Sequence, residues 1–267
     1  GAPVESVVTS DATLYLTAKS GFQLPFTPGP LRNRGKVVVS LNRLIRWMGE
    51  RAEDRGVQIF PGFPGAALVR DGNTVTGVQL ADAGLDKDGK ETATFEPGAI
   101  LEGKVVVLCE GSRGSMTKQL VEDLALEGDN PQVYAVGVKE VWEVPAGQCP
   151  PGTVVHSMGF PLKSDTFGGG WVYGMGRSSD GKDMVSIGFV TGLAYKDPSL
   201  DPPYEFLRYI LHAKIWRHIE GGKRLHYCAK SLPEGGLYSI PMLYGDGFMI
   251  CRDALSLIHF SEPPTPY

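Results

Sequence analysis

The sequence predicts a mixed α/β fold, and three observations support this prediction. The 267 residues are 42% hydrophobic and 21% charged, which is typical of a globular chain long enough for one large domain or two modest ones. The 35 glycines and 20 prolines exceed average usage and favour turns over a helical bundle. Strand-like runs also alternate with segments of helical periodicity. We therefore expect strands and helices to share the core.

Composition and motifs argue against several classes of function. The net charge of −4 shows no basic excess, so nucleic-acid binding is not expected. The four cysteines are far apart and form no Cys-x-x-Cys pair, so the sequence predicts neither a zinc site nor an iron–sulfur site in this chain. The histidines lack ligand spacing, and the sequence has no nucleophile elbow, phosphate-binding loop or paired catalytic carboxylates. These observations argue against hydrolases and kinases.

The segment from residue 13 to residue 31 is apolar and irregular. It is rich in Leu, Phe, Tyr and Pro, and residues 20 to 31 carry no charged side chain. A membrane-spanning helix needs ~20 apolar residues, and the prolines here would break a helix. Two interpretations remain open. One is a buried proline-rich connector, which composition alone favours, and the other is shallow membrane docking through four apolar side chains, Phe22, Leu24, Phe26 and Leu31.

The next region predicts a strand, a helix and a second strand. Residues 37 to 39 are three valines, and apolar residues then recur at helical spacing from Leu41 to Ala52. Ser40 is the expected N-cap and Gly56 the expected residue after the helix, and residues 57 to 60 resume as a strand. Two further strands, residues 66 to 69 and 74 to 80, are joined by a predicted Asp-Gly-Asn hairpin turn.

A strongly apolar strand, residues 104 to 109, runs directly into Glu110 and Gly111 and is followed by a helical segment ending at Leu124. In an open parallel sheet, ligands bind beyond the carboxyl ends of the strands, where a glycine permits close approach of the backbone. Glu110 is then expected either to accept hydrogen bonds from a ribose or to orient neighbouring amides. Many structural turns between a strand and a helix share this pattern, so both interpretations stay open.

The second half of the chain predicts mainly antiparallel strands. Alternating segments occur at residues 133 to 143, 152 to 160, 171 to 175 and 184 to 191, and a helix is predicted from residue 204 to residue 219. Three consecutive glycines, residues 168 to 170, stand between Phe167 and Trp171. They indicate either a mobile hairpin tip or a place where backbone approaches a flat ligand.

Several ordered motifs resemble the electron transfer flavoprotein–ubiquinone oxidoreductase family, over a range from Gly1 to about Ile250. They are Leu44-Ile-Arg-Trp-Met-Gly-Glu-Arg-Ala-Glu, Gly56-Val-Gln-Ile-Phe-Pro-Gly62, Phe167-Gly-Gly-Gly, Glu220-Gly-Gly-Lys-Arg and Glu234-Gly-Gly-Leu-Tyr-Ser-Ile-Pro241. The resemblance implies part of a glutathione-reductase-type FAD domain combined with a mainly antiparallel quinone-binding domain. It divides the chain into a membrane-facing segment (1–35), a partial FAD-binding domain (36–125), a ubiquinone-binding domain (126–245) and a divergent tail (246–267).

The resemblance also implies a function, that of an electron-transferring-flavoprotein dehydrogenase. Such a membrane-associated flavoprotein passes electrons from reduced electron transfer flavoprotein through FAD and a [4Fe-4S] cluster to ubiquinone. By this resemblance, Gly168 and Gly169 contact the quinone, and Glu110 and Gly111 lie on the FAD side. The apolar residues Phe22, Leu24, Phe26 and Leu31 then face the membrane surface. The mitochondrial inner membrane is the expected location, with a bacterial cytoplasmic membrane as the alternative.

The sequence departs from the family pattern in four places. The chain opens on Gly1 without an initiator Met or an apolar leader, and the family's N-terminal FAD fingerprint and C-terminal cluster domain are not found, so we expect a fragment that is inactive by itself. Phe167 stands where a Tyr is expected. After Cys251 the chain reads Arg252-Asp253 where a Gly is expected, so the tail is predicted to be unrelated sequence.

Two alternatives to this function are a flavin-dependent hydroxylase or isoprenoid reductase on the same scaffold, and a membrane-binding fragment without catalysis. The first would also need FAD but would lack a quinone channel and a cluster.

Overall fold

The structure of the chain is a computed structural model that describes residues 1–112 and 114–251. The predicted tail therefore lies outside the described residues from position 252 onward. In chain order the elements are β1 (Val4–Val7), β2 (Ser10–Leu16), β3 (Gly21–Gln23), β4 (Val37–Val39), α1 (Leu41–Glu53), β5 (Gly65–Asp71), β6 (Thr74–Leu80), β7 (Ala83–Leu85), β8 (Glu91–Glu96), β9 (Ile100–Glu102), β10 (Val106–Leu108), α2 (Ser115–Asp123), β11 (Tyr134–Val144), β12 (Thr153–Gly159), β13 (Gly168–Arg177), β14 (Asp183–Gly192), α3 (Pro202–Ile210), α4 (Ala213–Trp216), β15 (Lys223–Pro233), β16 (Tyr244–Gly245) and β17 (Phe248–Ile250).

The chain divides into two compact units. The first contains Gly1–Ile59 and Ala135–Lys230, and the second contains Phe60–Tyr134 and the described residues from Ser231 onward. The predicted domain boundaries at residues 35, 125 and 245 are assignments of function to segments, and they stay predictions.

The first unit is built on a seven-stranded sheet with the order β15-β11-β14-β13-β12-β2-β3. The pairs β11–β14, β13–β14 and β12–β13 are antiparallel, whereas β12 and β2 run parallel. Val172, Val185, Ile187 and Phe189 are buried at alternate positions of β13 and β14, as a sheet with one face against helices requires. Helices α3 and α4 cover this face, and the resulting core includes Val172, Ile187, Phe189, Phe206, Tyr209, Ile215 and Ile219.

The second unit is smaller and consists of short sheets around helix α2. Strands β5, β6 and β9 form one antiparallel sheet, and β10, β17 and β16 form another in which β10 and β17 are parallel. Helix α2 buries Met116 and Leu120, which join Val75, Leu108, Leu126, Phe248 and Ile250 in a second core.

Most of the expected elements are confirmed, including the mixed α/β fold class. Helix α1 begins after Ser40, and Gly56 follows its end with a φ of +83°. Strands β5 and β6 pair around residues 71 to 74 as a hairpin, and β13 and β14 are joined by a turn at Asp180-Gly181. The second half is mainly antiparallel, with the parallel β12–β2 pair as an addition that alternation alone does not reveal.

Two expectations were wrong. Residues 57 to 60 form no strand. The helix predicted from residue 204 to residue 219 is two helices, α3 and α4, separated at Leu211 and His212. His212 adopts an extended conformation, and its Nδ1 accepts a hydrogen bond from the amide of Lys214, so it caps α4 instead of continuing α3. Periodicity of the apolar residues runs through the break and therefore did not show it.

Candidate ligand site at the glycine run

The three consecutive glycines lie at the start of β13, so the interpretation as a hairpin tip is wrong. Gly168 pairs with Thr191, Gly169 with Val190 and Gly170 with Phe189. A Cβ on Gly168 would lie 2.2 Å from the carbonyl oxygen of Val190, and Gly168 has a φ of +155°. This position therefore requires glycine for steric reasons.

Gly170 makes room for a buried tyrosine from α3. A Cβ on Gly170 would lie 2.2 Å from Cζ of Tyr209, whose side chain is 0% exposed. Ser157 Oγ lies 3.1 Å from the Tyr209 hydroxyl, and the ring centroids of Phe189 and Tyr209 are 5.0 Å apart. Burial raises the pKa of Tyr209, so its phenol stays protonated. Part of the glycine run is thus explained by packing within the chain.

The two candidate amides differ in how the sheet uses them. Gly192 donates from its amide to the carbonyl oxygen of Phe167 at 2.8 Å, and in an antiparallel ladder the next hydrogen-bonded pair is two residues along. The amide of Gly169 is therefore directed at Val190. The amide of Gly168 points the other way, toward β12, and the pairing of β12 with β13 ends at Ser157 and Gly170. The amide of Gly168 therefore lies beyond the last paired residues of these two strands.

Alternation along β13 places Gly169, Trp171 and Tyr173 on the sheet face opposite helices α3 and α4. Gly169 has no side chain on this face, and a Cβ there would lie 2.5 Å from the carbonyl oxygen of Ser157 in β12. Phe167, just before the run, is 66% exposed. The aromatic that replaces the expected Tyr therefore lies at the surface.

Four polar side chains lie further along the same face: Asp11, Thr13, His156 and Tyr173, which we call the polar cluster. Tyr173 and His156 Nε2 are joined by a 2.8 Å hydrogen bond, and their rings meet edge to face with centroids 5.5 Å apart. Within the described part of the chain, Asp11 Oδ1, Thr13 Oγ1 and His156 Nδ1 are buried and have no hydrogen-bond partner. Buried polar atoms of this kind call for an explanation.

The polar cluster was not identified from the sequence. The alternation of residues 152 to 160 and 171 to 175 does place His156 and Tyr173 on a single face once the two strands pair. Asp11 and Thr13 join them through the parallel pairing of β2 with β12, which connects residues far apart in the chain. No local pattern reveals that pairing.

Burial and the charge of Asp11 act on the titratable members of the polar cluster. Burial lowers the pKa of His156, and the Asp11 carboxylate opposes this effect. Burial, followed by the charge of Asp11, raises the pKa of Tyr173 to about 12. At neutral pH the imidazole is therefore neutral and the phenol is protonated.

Glu110 and Gly111 belong to the second unit, at the turn between β10 and α2. The Glu110 carboxylate accepts hydrogen bonds from the amide and the hydroxyl of Thr117, both at 2.7 Å, and from the amide of Met116 at 3.3 Å. It therefore satisfies amides in the first turn of α2. Gly111 has a φ of +81°, and a Cβ there would meet no heavy atom within 4 Å.

Gly111 lines a cavity of about 550 Å³ in the second unit. The cavity is also lined by Thr117 and Lys118 of α2 and by a loop from Glu127 to Gln132. The open side of Gly111 and the size of this cavity are compatible with a ligand approaching the backbone at this turn.

The apolar segment near the start of the chain is exposed at two of its four candidate residues. Phe22 is 57% exposed and Phe26 is 63% exposed, whereas Leu24 and Leu31 are half-buried. Phe22 lies in β3, and its ring centroid is 5.6 Å from that of Tyr15 in β2. The β2–β3 hairpin thus presents aromatic rings to its surroundings.

His212 attaches this hairpin to the end of α3. His212 Nε2 lies 3.0 Å from the carbonyl oxygen of Thr17 and 3.2 Å from that of Ser20. The neighbouring Leu211 is 60% exposed. The hairpin and the end of α3 therefore carry exposed apolar side chains close to one anchoring histidine.

Neither a metal site nor a membrane-spanning helix is found within residues 1–112 and 114–251. No three His, Cys, Asp or Glu side chains in that part are grouped so that they could hold a metal ion. The helices there are too short and too polar to cross a bilayer.

Comparisons with known proteins identify relatives of the chain. The family model described as "ETF-QO, ubiquinone-binding" matches residues 134–232, which include all of β13. The mitochondrial electron transfer flavoprotein-ubiquinone oxidoreductase of Mus musculus is 40% identical over 253 residues, which cover 94% of this chain and 41% of that protein.

Solved structures of much lower sequence identity share the fold. A geranylgeranyl bacteriochlorophyll reductase-like protein from Thermoplasma acidophilum is 13% identical with a TM-score of 0.63, over 96% of this chain and 56% of that chain. A triple mutant of the flavin-dependent brominase Bmp2 is 15% identical with a TM-score of 0.58, over 96% of this chain and 57% of that chain. These likenesses establish the fold alone. By sequence, the chain belongs to the electron transfer flavoprotein–ubiquinone oxidoreductase family and spans about two fifths of the length of the relatives that it matches.

Proposed function

We propose that this chain is the quinone-binding part of a flavoprotein that passes electrons from reduced electron transfer flavoprotein through FAD to ubiquinone. The observation that carries the proposal is the match of residues 134–232 to the ubiquinone-binding family model, because this range contains the glycine run. The 40% identity to the mouse protein over 94% of this chain supports the same function. The proposed enzyme class is electron-transferring-flavoprotein dehydrogenase, and electron transfer flavoprotein is the proposed protein partner.

In the proposed site, the quinone head group lies at Gly168 and Gly169. Gly168 contributes an amide beyond the β12 ladder, and Gly169 contributes a face without a side chain. Backbone amides suit this task because they can donate to a quinone oxygen as negative charge develops on it during reduction. Trp171 is half-buried on the same face, and an apolar neighbour strengthens such a hydrogen bond where it excludes water.

FAD is the proposed cofactor, and Gly111 fits a role in holding it. The open side of Gly111 would let a cofactor approach the backbone of the turn after β10. Glu110 would act indirectly by fixing that turn, because its carboxylate already accepts from Thr117 and Met116 of α2. When bound, FAD supplies the redox chemistry that the side chains of this chain lack.

The described residues do not fit a [4Fe-4S] cluster. Cys109, Cys149, Cys228 and Cys251 are not grouped with each other or with other ligands in a way that could bind metal within the described ranges. A cluster therefore enters the proposal only as a property of a longer parent protein, with ligands from outside this part of the chain.

We place the protein at a membrane surface, on the strength of the exposed rings of Phe22 and Phe26. Leu24 and Leu31 lie in the same segment, and Arg32, Arg34 and Lys36 follow it, which is a suitable order for apolar insertion next to anionic headgroups. The mitochondrial inner membrane is the proposed location because the mouse relative is mitochondrial, and a bacterial cytoplasmic membrane is the alternative.

Binding of ubiquinone-1 to the full chain tests the proposed function. In equilibrium dialysis we expect saturable binding of one ubiquinone-1 per chain. Binding that rises linearly with ligand concentration, without saturation, would contradict the proposal. Gly169→Val is a poor probe here. Its Cβ would lie 2.5 Å from the carbonyl oxygen of Ser157, so the variant would disturb the sheet before it blocked a ligand.

A further inference from the structure

The polar cluster lies on the same sheet face as Gly169, and the proposed quinone site uses none of its side chains. Gly169, Trp171 and Tyr173 occupy every second position of β13 and therefore lie on one face of the sheet. The Tyr173 hydroxyl reaches His156, whose register partner on β13 is Trp171, so the phenol leans along the strand toward Gly169. From the level of Trp171 to that of Gly169 is a step of two residues along the strand, roughly 6.6 Å. This distance is comparable with the length of a quinone ring and its two oxygens.

The hydrogen bonds of the polar cluster have a direction. A neutral imidazole has one N–H donor and one acceptor nitrogen. Asp11 Oδ1 and His156 Nδ1 are both buried without a hydrogen-bond partner in the described part of the chain, and the charge of Asp11 acts on the imidazole. A carboxylate oxygen is stabilised by an N–H and destabilised by a nitrogen lone pair. Asp11 on β2 and Tyr173 on β13 lie on opposite sides of β12, and Nε2 faces Tyr173, so the geometry points to Nδ1 as the protonated nitrogen.

The proton on Nδ1 determines what Tyr173 can do. His156 Nε2 is then the acceptor, so the Tyr173 hydroxyl donates to it across 2.8 Å. The phenol oxygen keeps its lone pairs and has no further proton to give. It can accept a hydrogen bond from a ligand hydroxyl. A ligand carbonyl oxygen has no proton to donate, so the lone pairs of the two oxygens would repel each other.

We propose that the Tyr173 oxygen accepts a hydrogen bond from a quinol hydroxyl at the Gly169 face, so that this site binds quinol more tightly than quinone. Asp11 and His156 are positioning residues, since they act through Tyr173 by fixing the imidazole tautomer. The proposal rests on the proposed function and adds to it the redox form that the site prefers.

Anaerobic binding of ubiquinone-1 and ubiquinol-1 to the full chain tests this preference. We expect the chain to bind ubiquinol-1 about tenfold more tightly, which is the effect of one hydrogen bond in a partly buried site. In Tyr173→Phe the two affinities should become equal within about twofold. Tyr227→Phe is the matched control, because Tyr227 is an exposed phenol on β15, and it should keep the tenfold ratio.

The positioning role has a separate readout in the nitrogen chemical shifts of His156. In the full chain we expect a single tautomer with the proton on Nδ1, and in Asp11→Asn a mixture of tautomers together with a reduced ratio of affinities. Asn keeps an oxygen that can accept from the Asn33 amide, as Asp11 Oδ2 does at 2.6 Å, so the local backbone should be preserved. Near-UV circular dichroism verifies that each variant is folded.

The outcomes separate this inference from the function on which it rests. Equal affinities for the two redox forms in the unmodified chain, an unchanged ratio in Tyr173→Phe, or a proton on Nε2 would overturn the inference and leave the quinone site intact. Failure of both ligands to bind would overturn the quinone site and the inference together.

Discussion

Tyr209 and Gly170 illustrate how one side chain determines another residue's identity. The phenol ring of Tyr209 occupies the volume that a Cβ on Gly170 would need, at 2.2 Å from Cζ. The sequence shows an unusual glycine run, but it does not show that a residue 39 positions later causes part of it. Such contacts are invisible to local patterns because they depend on how α3 packs on the sheet.

Gly170→Ala should destabilise the first unit by about 1–3 kcal/mol, because the added methyl group overpacks the contact with Tyr209. Urea unfolding measures the loss. In a Tyr209→Leu background the same substitution should cost less, since the ring that it meets is gone. Gly29→Ala is the control, because a Cβ at Gly29 meets no atom within 4 Å. An equal cost in both backgrounds would contradict the packing explanation.

His218 makes the stability of the first unit depend on pH. Burial, followed by the charge of Arg217, lowers the pKa of His218 to about 4, whereas an unfolded histidine has a pKa of about 6.5. The folded state favours the neutral imidazole, so its stabilisation is complete above pH 6.5 and is lost as the pH falls toward 4.

Between pH 7 and pH 4.5 we expect the His218 contribution to fall by about 2 kcal/mol. The measurement is the difference in free energy of unfolding between the unmodified chain and His218→Gln at each pH, which removes the effects of carboxylates common to both. His226→Gln, at an exposed position, is the control. A difference that stays constant over this range would show that His218 does not titrate as described.

At the scale of elements, helix α2 depends on an acidic residue outside it. Glu110 accepts from Thr117 and Met116, so a carboxylate from the preceding turn takes the place of a conventional N-cap side chain. The sequence did predict a strand, an acidic residue, a glycine and a helix in that order. It left open whether Glu110 faces a ribose or the helix, and the hydrogen bonds show that it orients the helix amides.

Glu110→Ala should destabilise the second unit by about 2 kcal/mol, because it leaves buried amides and the Thr117 hydroxyl without a charged acceptor. Amide hydrogen exchange should localise the loss to the first turn of α2. Glu122→Ala, an exposed position on the same helix, should change stability by less than about 0.5 kcal/mol. Unchanged exchange at residues 116 and 117 in Glu110→Ala would contradict the capping role.

The elements that the sequence predicted best were those with local signals. Helix α1 has regular spacing and a glycine after its end, and the β5–β6 hairpin has an Asp-Gly-Asn turn. The break at His212 was missed because a cap made by an imidazole has no common sequence signature. The polar cluster was missed because the parallel pairing of β2 with β12 is a long-range contact.

At the scale of the whole molecule, the exposed rings of Phe22 and Phe26 predict association with membranes. In flotation with vesicles containing anionic lipid, Phe22→Ser/Phe26→Ser should reduce the floated fraction several-fold, since each exposed ring contributes apolar area to insertion. Phe60→Ser/Phe63→Ser removes two exposed rings of the other unit and is the matched control. Equal losses in both variants would indicate nonspecific adsorption instead of docking through β3 and the following segment.

Photolabelling tests the proposed contact between the start of β13 and the quinone without altering the glycines. A photoreactive ubiquinone analogue with a short tail would be crosslinked to the full chain, and the labelled peptides would be mapped by mass spectrometry. We predict labelling of residues 159 to 173 that excess ubiquinone-1 abolishes. Two results would contradict this prediction. One is that the only labelling abolished by excess ubiquinone-1 is in the cavity near Gly111. The other is labelling at residues 159 to 173 that excess ubiquinone-1 does not reduce.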